Sequence, residues 1–177
     1  MPLLAALLIS LFTLGMSACR DQAPASVETT PPPARQAEAK EPPASPSHQR
    51  DLSIDESMGG HTLSRHVGKS DAELQDRLKR ERQISAASTY TDRATAERAV
   101  GKALASHGDE LKAWQNRRGR RPNLVLRYVA QDQQSIGRSL SRGRRTPVPC
   151  THALVVLRWD ERADRFYVLT SYPEAER

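Results

Sequence analysis

The sequence predicts an α+β domain in which helices come first and a twisted antiparallel sheet follows. Helical signals concentrate before residue 115, strand signals follow residue 123, and the segment before both has almost no large apolar residue. An apolar content of 37% over 177 residues is enough for one core of ordinary size. We therefore predict three regions: an export signal over residues 1–19, a linker over 20–52, and one domain over 53–177.

Residues 1–19 have the features of a bacterial export signal. The apolar run over residues 3–15 is too short to span a membrane but has the length of a signal core. The run ends in Met16-Ser17-Ala18-Cys19, which is similar to the lipobox of bacterial lipoproteins, where the cysteine carries lipid. Because Met16 replaces the usual Leu and no Lys or Arg precedes the run, cleavage after Ala18 without lipid stays open. The expected product is exported, either as a membrane-anchored lipoprotein of the periplasm or cell surface or as a secreted protein.

The linker is predicted from composition. It is rich in Pro, Ala, Ser, Thr and Glu and contains Pro31-Pro32-Pro33 and Pro42-Pro43. Such a segment buries too little apolar surface to offset the entropy lost on ordering. We predict a flexible tether that ends at residue 52.

Helical patterns occupy the first half of the domain. Ser70-Asp71-Ala72-Glu73 reads as a capping box, which begins a helix that runs to about Arg82. A less regular helix or turn precedes it around residues 54–66, where Gly59-Gly60 interrupts the pattern. A longer helix is predicted over residues 93–115, with Gly108 as its weak point.

Strand patterns occupy the second half, over residues 123–129, 135–140, 151–159 and 165–172. In the last of these, strict alternation would place Thr170 and Tyr172 on the same face as Phe166 and Val168. Two apolar residues followed by two hydroxyls fit a core that gives way to a cleft. They fit equally a strand that leaves the core for solvent.

Positive charge is confined to the domain. Residues 1–50 carry four Lys/Arg and four Asp/Glu, whereas residues 51–177 carry 23 and 17. A basic domain favours polyanions such as RNA, DNA or an anionic membrane surface. The arginine-rich segments 117–121 and 138–145 could contact successive phosphates, although such runs are also typical of solvated loops. Trp114 and Trp159 lie near these segments, where they either stack a base or complete the core.

Cysteine and histidine spacing predicts neither disulfides nor a metal. If Cys19 is the processing site, Cys150 stands alone in the mature chain, so no disulfide framework is expected. None of the five histidines has a carboxylate or cysteine at the spacing of a zinc or phosphodiesterase metal site. We therefore expect a monomer without metal or other cofactor.

His61 and His66 are the first candidates for proton transfer, because imidazole titrates near neutrality. On a helix, two residues five apart lie roughly 140° apart. At most one of the two is therefore expected to point into a given site. Arg77, at the border of the apolar face of the next helix, suits either a phosphate or a structural ion pair.

Four short segments, taken in order, resemble a known family. They are Gly59-Gly60-His61-Thr62, His66-Val67-Gly68-Lys69, Ala87-Ser88-Thr89-Tyr90-Thr91-Asp92 and Val168-Leu169-Thr170-Ser171-Tyr172-Pro173. Together they look like the bacterial RNase A-like domain at the C-termini of contact-dependent growth-inhibition toxins, over roughly residues 53–174. The resemblance implies a fold similar to pancreatic ribonuclease, but without its disulfides and without its pair of catalytic histidines.

The resemblance also implies a catalytic site. The family uses one helix histidine, an arginine eleven residues later, and the Thr and Tyr of a terminal T-x-Y strand. The matching residues here are His66, Arg77, Thr170 and Tyr172. His61 is the rival histidine, but the position eleven residues after it is Ala72. The resemblance therefore places the catalytic imidazole at His66 and leaves His61 and Lys69 as substrate-binding residues.

The function implied is that of a metal-independent endoribonuclease. The 2′-hydroxyl of RNA would attack the adjacent phosphorus and leave a 2′,3′-cyclic phosphate, as in an antibacterial toxin or effector. RNA is then the substrate, and a cognate immunity protein is an expected inhibitor. Two alternatives stay open: a non-enzymatic basic surface lipoprotein that binds nucleic acid or another polyanion, and an inactive relative kept for binding an inhibitor.

Overall fold

The structure, a computed structural model, describes residues 48–176. The predicted signal, Cys19 and most of the predicted linker lie outside these residues. The helices are α1 (Leu52–Ser57), α2 (Thr62–His66), α3 (Asp71–Arg80), α4 (Arg93–Ser106) and α5 (Gly108–Gln115). The strands are β1 (Ala86–Tyr90), β2 (Leu124–Val129), β3 (Gly137–Ser141), β4 (Val148–Cys150), β5 (His152–Asp160) and β6 (Arg165–Glu174).

The strands form two three-stranded antiparallel sheets, with the orders β1-β3-β4 and β2-β5-β6. The α+β class with antiparallel pairing is confirmed. β1 and β4 were not among the predicted strands. Four of the five β1 residues are buried, so no alternation marks that strand, and β4 has only three residues.

The helices follow the capping signals of the sequence. Ser70 forms the predicted capping box with Glu73 at the start of α3. The interrupted segment before it becomes α1 and α2, separated at Gly59 and Gly60. The single helix predicted over residues 93–115 is wrong: at His107 the backbone leaves helical geometry, the His107 ring caps the end of α4 on the Ala103 carbonyl at 2.9 Å, and α5 begins at Gly108.

Two groups of buried side chains hold the fold together. The larger packs α4, α5 and α1 against β2-β5-β6 and includes Val100, Trp114 and Leu157. Trp159 meets Trp114 edge to face at 5.7 Å, so both tryptophans serve the core. The smaller group places Leu74 and Leu78 of α3 against β1 and β3.

The chain before α1 is also part of the domain. Leu52 is fully buried in the larger core. Arg50 forms a double hydrogen bond with the buried carboxylate of Asp55. The last residues of the predicted linker therefore pack against the domain rather than leaving it.

Cys150 is a buried free thiol, and the part of the chain from 48 to 176 contains no other cysteine. Burial raises the pKa of this thiol to about 11. In the same part of the chain, no helix is long and apolar enough to cross a membrane.

Candidate active site

One extra residue in β6 decides which side chains reach the site. Along the β5–β6 pair, Leu157 lies opposite Val168 and Val156 lies opposite Thr170, so Leu169 is a β-bulge. Paired residues point to the same face of a sheet, so Val168 faces the core with Leu157. Past the bulge the alternation is inverted.

The inversion corrects the predicted faces of β6. Ser171, opposite the core residue Val155, points inward and is fully buried. Thr170 and Tyr172 point to the other face, away from Val168. The prediction that they share a face with Phe166 and Val168 is wrong, because it assumed an unbroken period of two.

Backbone groups along the outer edge of β6 form hydrogen bonds with the α1–α2 segment rather than with another strand. The Asp55 carboxylate accepts from Val168 N–H at 2.9 Å, and Thr62 Oγ1 accepts from Ser171 N–H at 2.8 Å. His61 N–H donates to the Leu169 carbonyl at 3.0 Å. A Cβ at Gly60 would lie 2.5 Å from the Val168 carbonyl, so only glycine permits this close passage. These contacts fix α2 beside the C-terminal half of β6.

His66, at the end of α2, lies between the two sheets. Its side chain is buried, and its Nδ1 is 3.2 Å from the Ser88 carbonyl of β1. A carbonyl only accepts, so Nδ1 carries the proton and Nε2 of the neutral ring is left as an acceptor. Burial, with the nearby charge of Arg77, lowers the pKa of His66 to about 3.

His61 lines the same cleft as His66, with ring centroids 6.5 Å apart. The expectation that at most one of them points into a site is wrong. It assumed one helix through both residues, whereas α2 begins at Thr62 and His61 is a non-helical cap before it. Burial and the charge of Arg65 lower the pKa of His61 as well.

The remaining three predicted catalytic residues meet at this cleft. Its volume is about 690 Å³, and its walls include Arg77 from α3 with Thr170 and Tyr172 from β6. The Arg77 guanidinium donates to Glu81 at 3.3 Å and to the Arg65 carbonyl at 3.4 Å. Thr170 Oγ1 is buried and has no hydrogen-bond partner among the described residues. The Tyr172 ring lies 5.4 Å from that of His66, and burial raises its pKa.

A row of small side chains on β1 and β3 also lines the cleft, and sequence reasoning missed it. The pairs are Ala86 with Ser141 and Ser88 with Ser139, which share one face of the sheet. β1 shows no alternation in its own sequence, so only its pairing with β3 reveals that Ala86 and Ser88 share this face.

Lys69 and two of the clustered arginines have structural contacts instead. Lys69 is not among the cleft-lining residues, and its ammonium lies 3.9 Å from Glu73. Arg138 pairs with Asp71 at 2.7 Å, and Arg142 donates to the carbonyls of Glu81 and Ile84. Over residues 48–176, no group of three or more His, Cys, Asp or Glu side chains is placed to hold a metal ion.

This architecture is that of an RNase A-like bacterial toxin domain without disulfides. It is similar to a chain of the crystal structure of a CdiA-CT/CdiI complex from Y. kristensenii, with a TM-score of 0.57 and 31% sequence identity. The match covers 65% of the present chain and 99% of that one.

The family follows from the sequence. The family described as "Bacterial CdiA-CT RNAse A domain" matches residues 60–173, so the chain belongs to this family of ribonuclease toxin domains. No curated protein matches the chain.

Proposed function

We propose that this domain cleaves RNA by transphosphorylation without a metal ion. The 2′-oxygen forms a bond to the adjacent phosphorus while the bond from phosphorus to the 5′-oxygen breaks. The products are a 2′,3′-cyclic phosphate and a free 5′-hydroxyl. The 2′-hydroxyl proton must be removed and the 5′-oxygen must gain one, so the cleft has to supply a base and an acid.

The observation that carries the proposal is the state of His66. With Nδ1–H bound to the Ser88 carbonyl, Nε2 is left as the free acceptor of a ring that lines the cleft. The low pKa keeps the ring neutral at physiological pH, as a base requires. A bound phosphate offsets the charge of Arg77 and raises that pKa in the complex, which strengthens His66 as the base.

The other side chains of the cleft suit the phosphoryl oxygens. Arg77 supplies a fixed positive charge with planar donors. Thr170 has a hydroxyl with no partner among the described residues, and Tyr172 holds its phenolic proton because its pKa is raised. Donors that are already in place stabilise charge as it develops in the transition state. Lys69, outside the cleft, would contact the RNA backbone.

We further propose that a cognate immunity protein blocks this domain. The related Y. kristensenii structure is described as a CdiA-CT/CdiI complex. The excess of 23 basic over 17 acidic residues in positions 51–177 favours an acidic inhibitor.

The proposal includes export of the protein before it acts, with lipid on Cys19. The apolar run and lipobox-like sequence of residues 1–19 support it. Intact mass of the mature protein tests it: an unmodified Cys19 would leave a freely secreted form.

The decisive experiment uses a DNA strand that contains one ribonucleotide, incubated with the full chain in excess chelator. Cleavage is expected only after the ribonucleotide, with a 2′,3′-cyclic phosphate visible by mass. His66→Ala should lower the rate by about 10²- to 10⁴-fold with the fold intact. His107→Ala, a histidine outside the cleft, is the matched control. Cleavage of all-deoxy substrate, or activity restored only by divalent ions, would overturn the mechanism.

A further inference from the structure

The proposed reaction needs an acid on the side of the phosphate opposite the base. The in-line geometry of the displacement sets this requirement, because the attacking 2′-oxygen and the departing 5′-oxygen lie on opposite sides of phosphorus. His66 fills only one of the two positions. The family resemblance offers no second histidine, so the source of the second proton is an open question for this chain.

His61 has the position that such an acid needs. Its ring and that of His66 line one cleft with centroids 6.5 Å apart. The rings are therefore too far apart to bond to each other, but a phosphoryl group between them can reach both. Among the described residues, the His61 ring makes no hydrogen bond, so its nitrogens are available to a substrate.

The backbone holds His61 in this position. Its N–H is bound to the Leu169 carbonyl at the bulge, one residue before Thr170. Gly60 before it lies against the Val168 carbonyl, and Thr62 after it accepts from Ser171 N–H. The histidine is thus fixed to the same strand that presents Thr170 and Tyr172, as a preorganised catalytic group requires.

We propose that His61 is a second catalytic residue, which donates a proton to the departing 5′-oxygen while His66 accepts the proton of the 2′-hydroxyl. This inference rests on the proposed function. One proton is taken up and one is released, so the two imidazoles exchange protonation states in each turnover. Hydrolysis of the cyclic phosphate by the reverse roles would restore them.

Tyr172 is the rival acid, and its surroundings favour a binding role. Burial raises its pKa further above that of an imidazolium, so it holds its proton strongly. Its ring also lies 5.4 Å from that of His66, the proposed base.

The charges around His61 come from three helices. Burial lowers its pKa most, Arg65 on α2 and Arg77 on α3 lower it further, and Glu56 on α1 raises it. A bound phosphate screens both arginines from the ring. The protonated form needed for acid catalysis is therefore more populated with substrate bound than without it.

A substrate with sulfur in place of the 5′-oxygen tests the role directly. A thiolate leaves without a proton because thiols are far more acidic than alcohols. We expect His61→Ala to lower cleavage of the normal linkage by about 10²- to 10⁴-fold and to cleave the sulfur linkage at nearly the wild-type rate. His61→Gln, which keeps the side chain's bulk and hydrogen bonding, should behave as His61→Ala does. His66→Ala should lose activity on both linkages.

The outcomes separate the two proposals. Equal losses on both linkages would mean that His61 binds or positions substrate, and no loss on either would remove it from the reaction. Loss in His61→Ala with recovery in His61→Gln would assign it a packing role. Failure of the wild-type protein to cleave either linkage would overturn the proposed function itself.

Discussion

The two halves of β6 belong to one strand but face different parts of the molecule. Before Leu169, Phe166 and Val168 face the core and pack against it. After Leu169, Thr170 and Tyr172 face the cleft. The difference comes from one inserted residue whose freed backbone groups are bound by the α1–α2 segment. Stability and activity should therefore be separable along the strand.

The largest effect on stability is expected at the ion pair that supports the bulge. Asp55 is 1% exposed and binds both Val168 N–H and Arg50. Arg50→Met keeps a side chain over the Phe166 ring but leaves this carboxylate without its cation. We expect a loss of about 3–5 kcal/mol in the free energy of unfolding, measured in denaturant.

A double-mutant cycle identifies the cause of that loss. Asp55→Asn removes the buried charge, so Arg50→Met should cost much less stability in the Asp55→Asn background than in wild type. Arg158→Met, on an exposed arginine of β5, is the control and should change little in either background. An equal loss in both backgrounds would mean that lost packing, not charge, destabilises the variant.

Adjacent residues past the bulge give the sharpest contrast. Thr170→Val removes a hydroxyl that has no partner among the described residues, so stability should hold while kcat/KM falls by about 10²-fold. Ser171→Ala removes bonds to the Tyr90 hydroxyl at 2.6 Å and to the Leu154 carbonyl at 2.9 Å. It should cost about 1–3 kcal/mol of stability and little activity at a temperature where the protein stays folded. The opposite result would place the bulge elsewhere.

The sequence predicted which residues lie together better than it predicted their faces. Thr170 and Tyr172, which the motif resemblance singled out, both line the cleft, and the capping box at Ser70 correctly marked the start of α3. Alternation failed at Leu169 because a bulge is set by pairing with β5 and by the contacts of Asp55, which lie far away in sequence.

The two histidines show the same limit. A helical wheel separates His61 from His66 only if both lie on one helix, but Gly60 passes against β6 and α2 begins only at Thr62. Local helix propensity does not predict that long-range contact. In the same way, β1 is buried on both faces and shows no alternation, so it can be assigned as a strand only from its pairing with β3.

The pH profile of cleavage should report the lowered pKa of His66, the proposed base. Because the pKa of His66 is lowered to about 3, the acidic limb of kcat/KM should lie well below the ordinary imidazole value of about 6.5. Arg77→Gln removes a neighbouring positive charge, so the limb should move to higher pH although the rate is lower. NMR titration of the His66 ring gives the same shift independently of activity. An unmoved pKa would mean that burial alone sets it.

The same lowered pKa affects stability, with a defined sign. Between pH 6.5 and about 3 the unfolded chain binds a proton at this residue and the folded chain does not. The contribution of neutral His66 is thus present above that window and is lost as pH falls through it. His66→Gln should be less sensitive than wild type to acid over this range, when unfolding is followed in urea.

The smallest effect is expected at the far end of β6, where Arg121 covers the Trp159 ring at 4.1 Å and donates to the Gln115 carbonyl. Trp159 is paired with Phe166, on the core half of the strand. If Arg121 serves the core, Arg121→Ala costs about 0.5–1 kcal/mol and leaves the salt dependence of RNA binding unchanged. If the arginine-rich segment 117–121 tracks RNA, the same change reduces the slope of log affinity against log salt by nearly one. Arg120→Ala, an exposed neighbour, is the control for charge without packing. We expect Arg121→Ala to change only stability, which would place Arg121 outside the surface that contacts RNA.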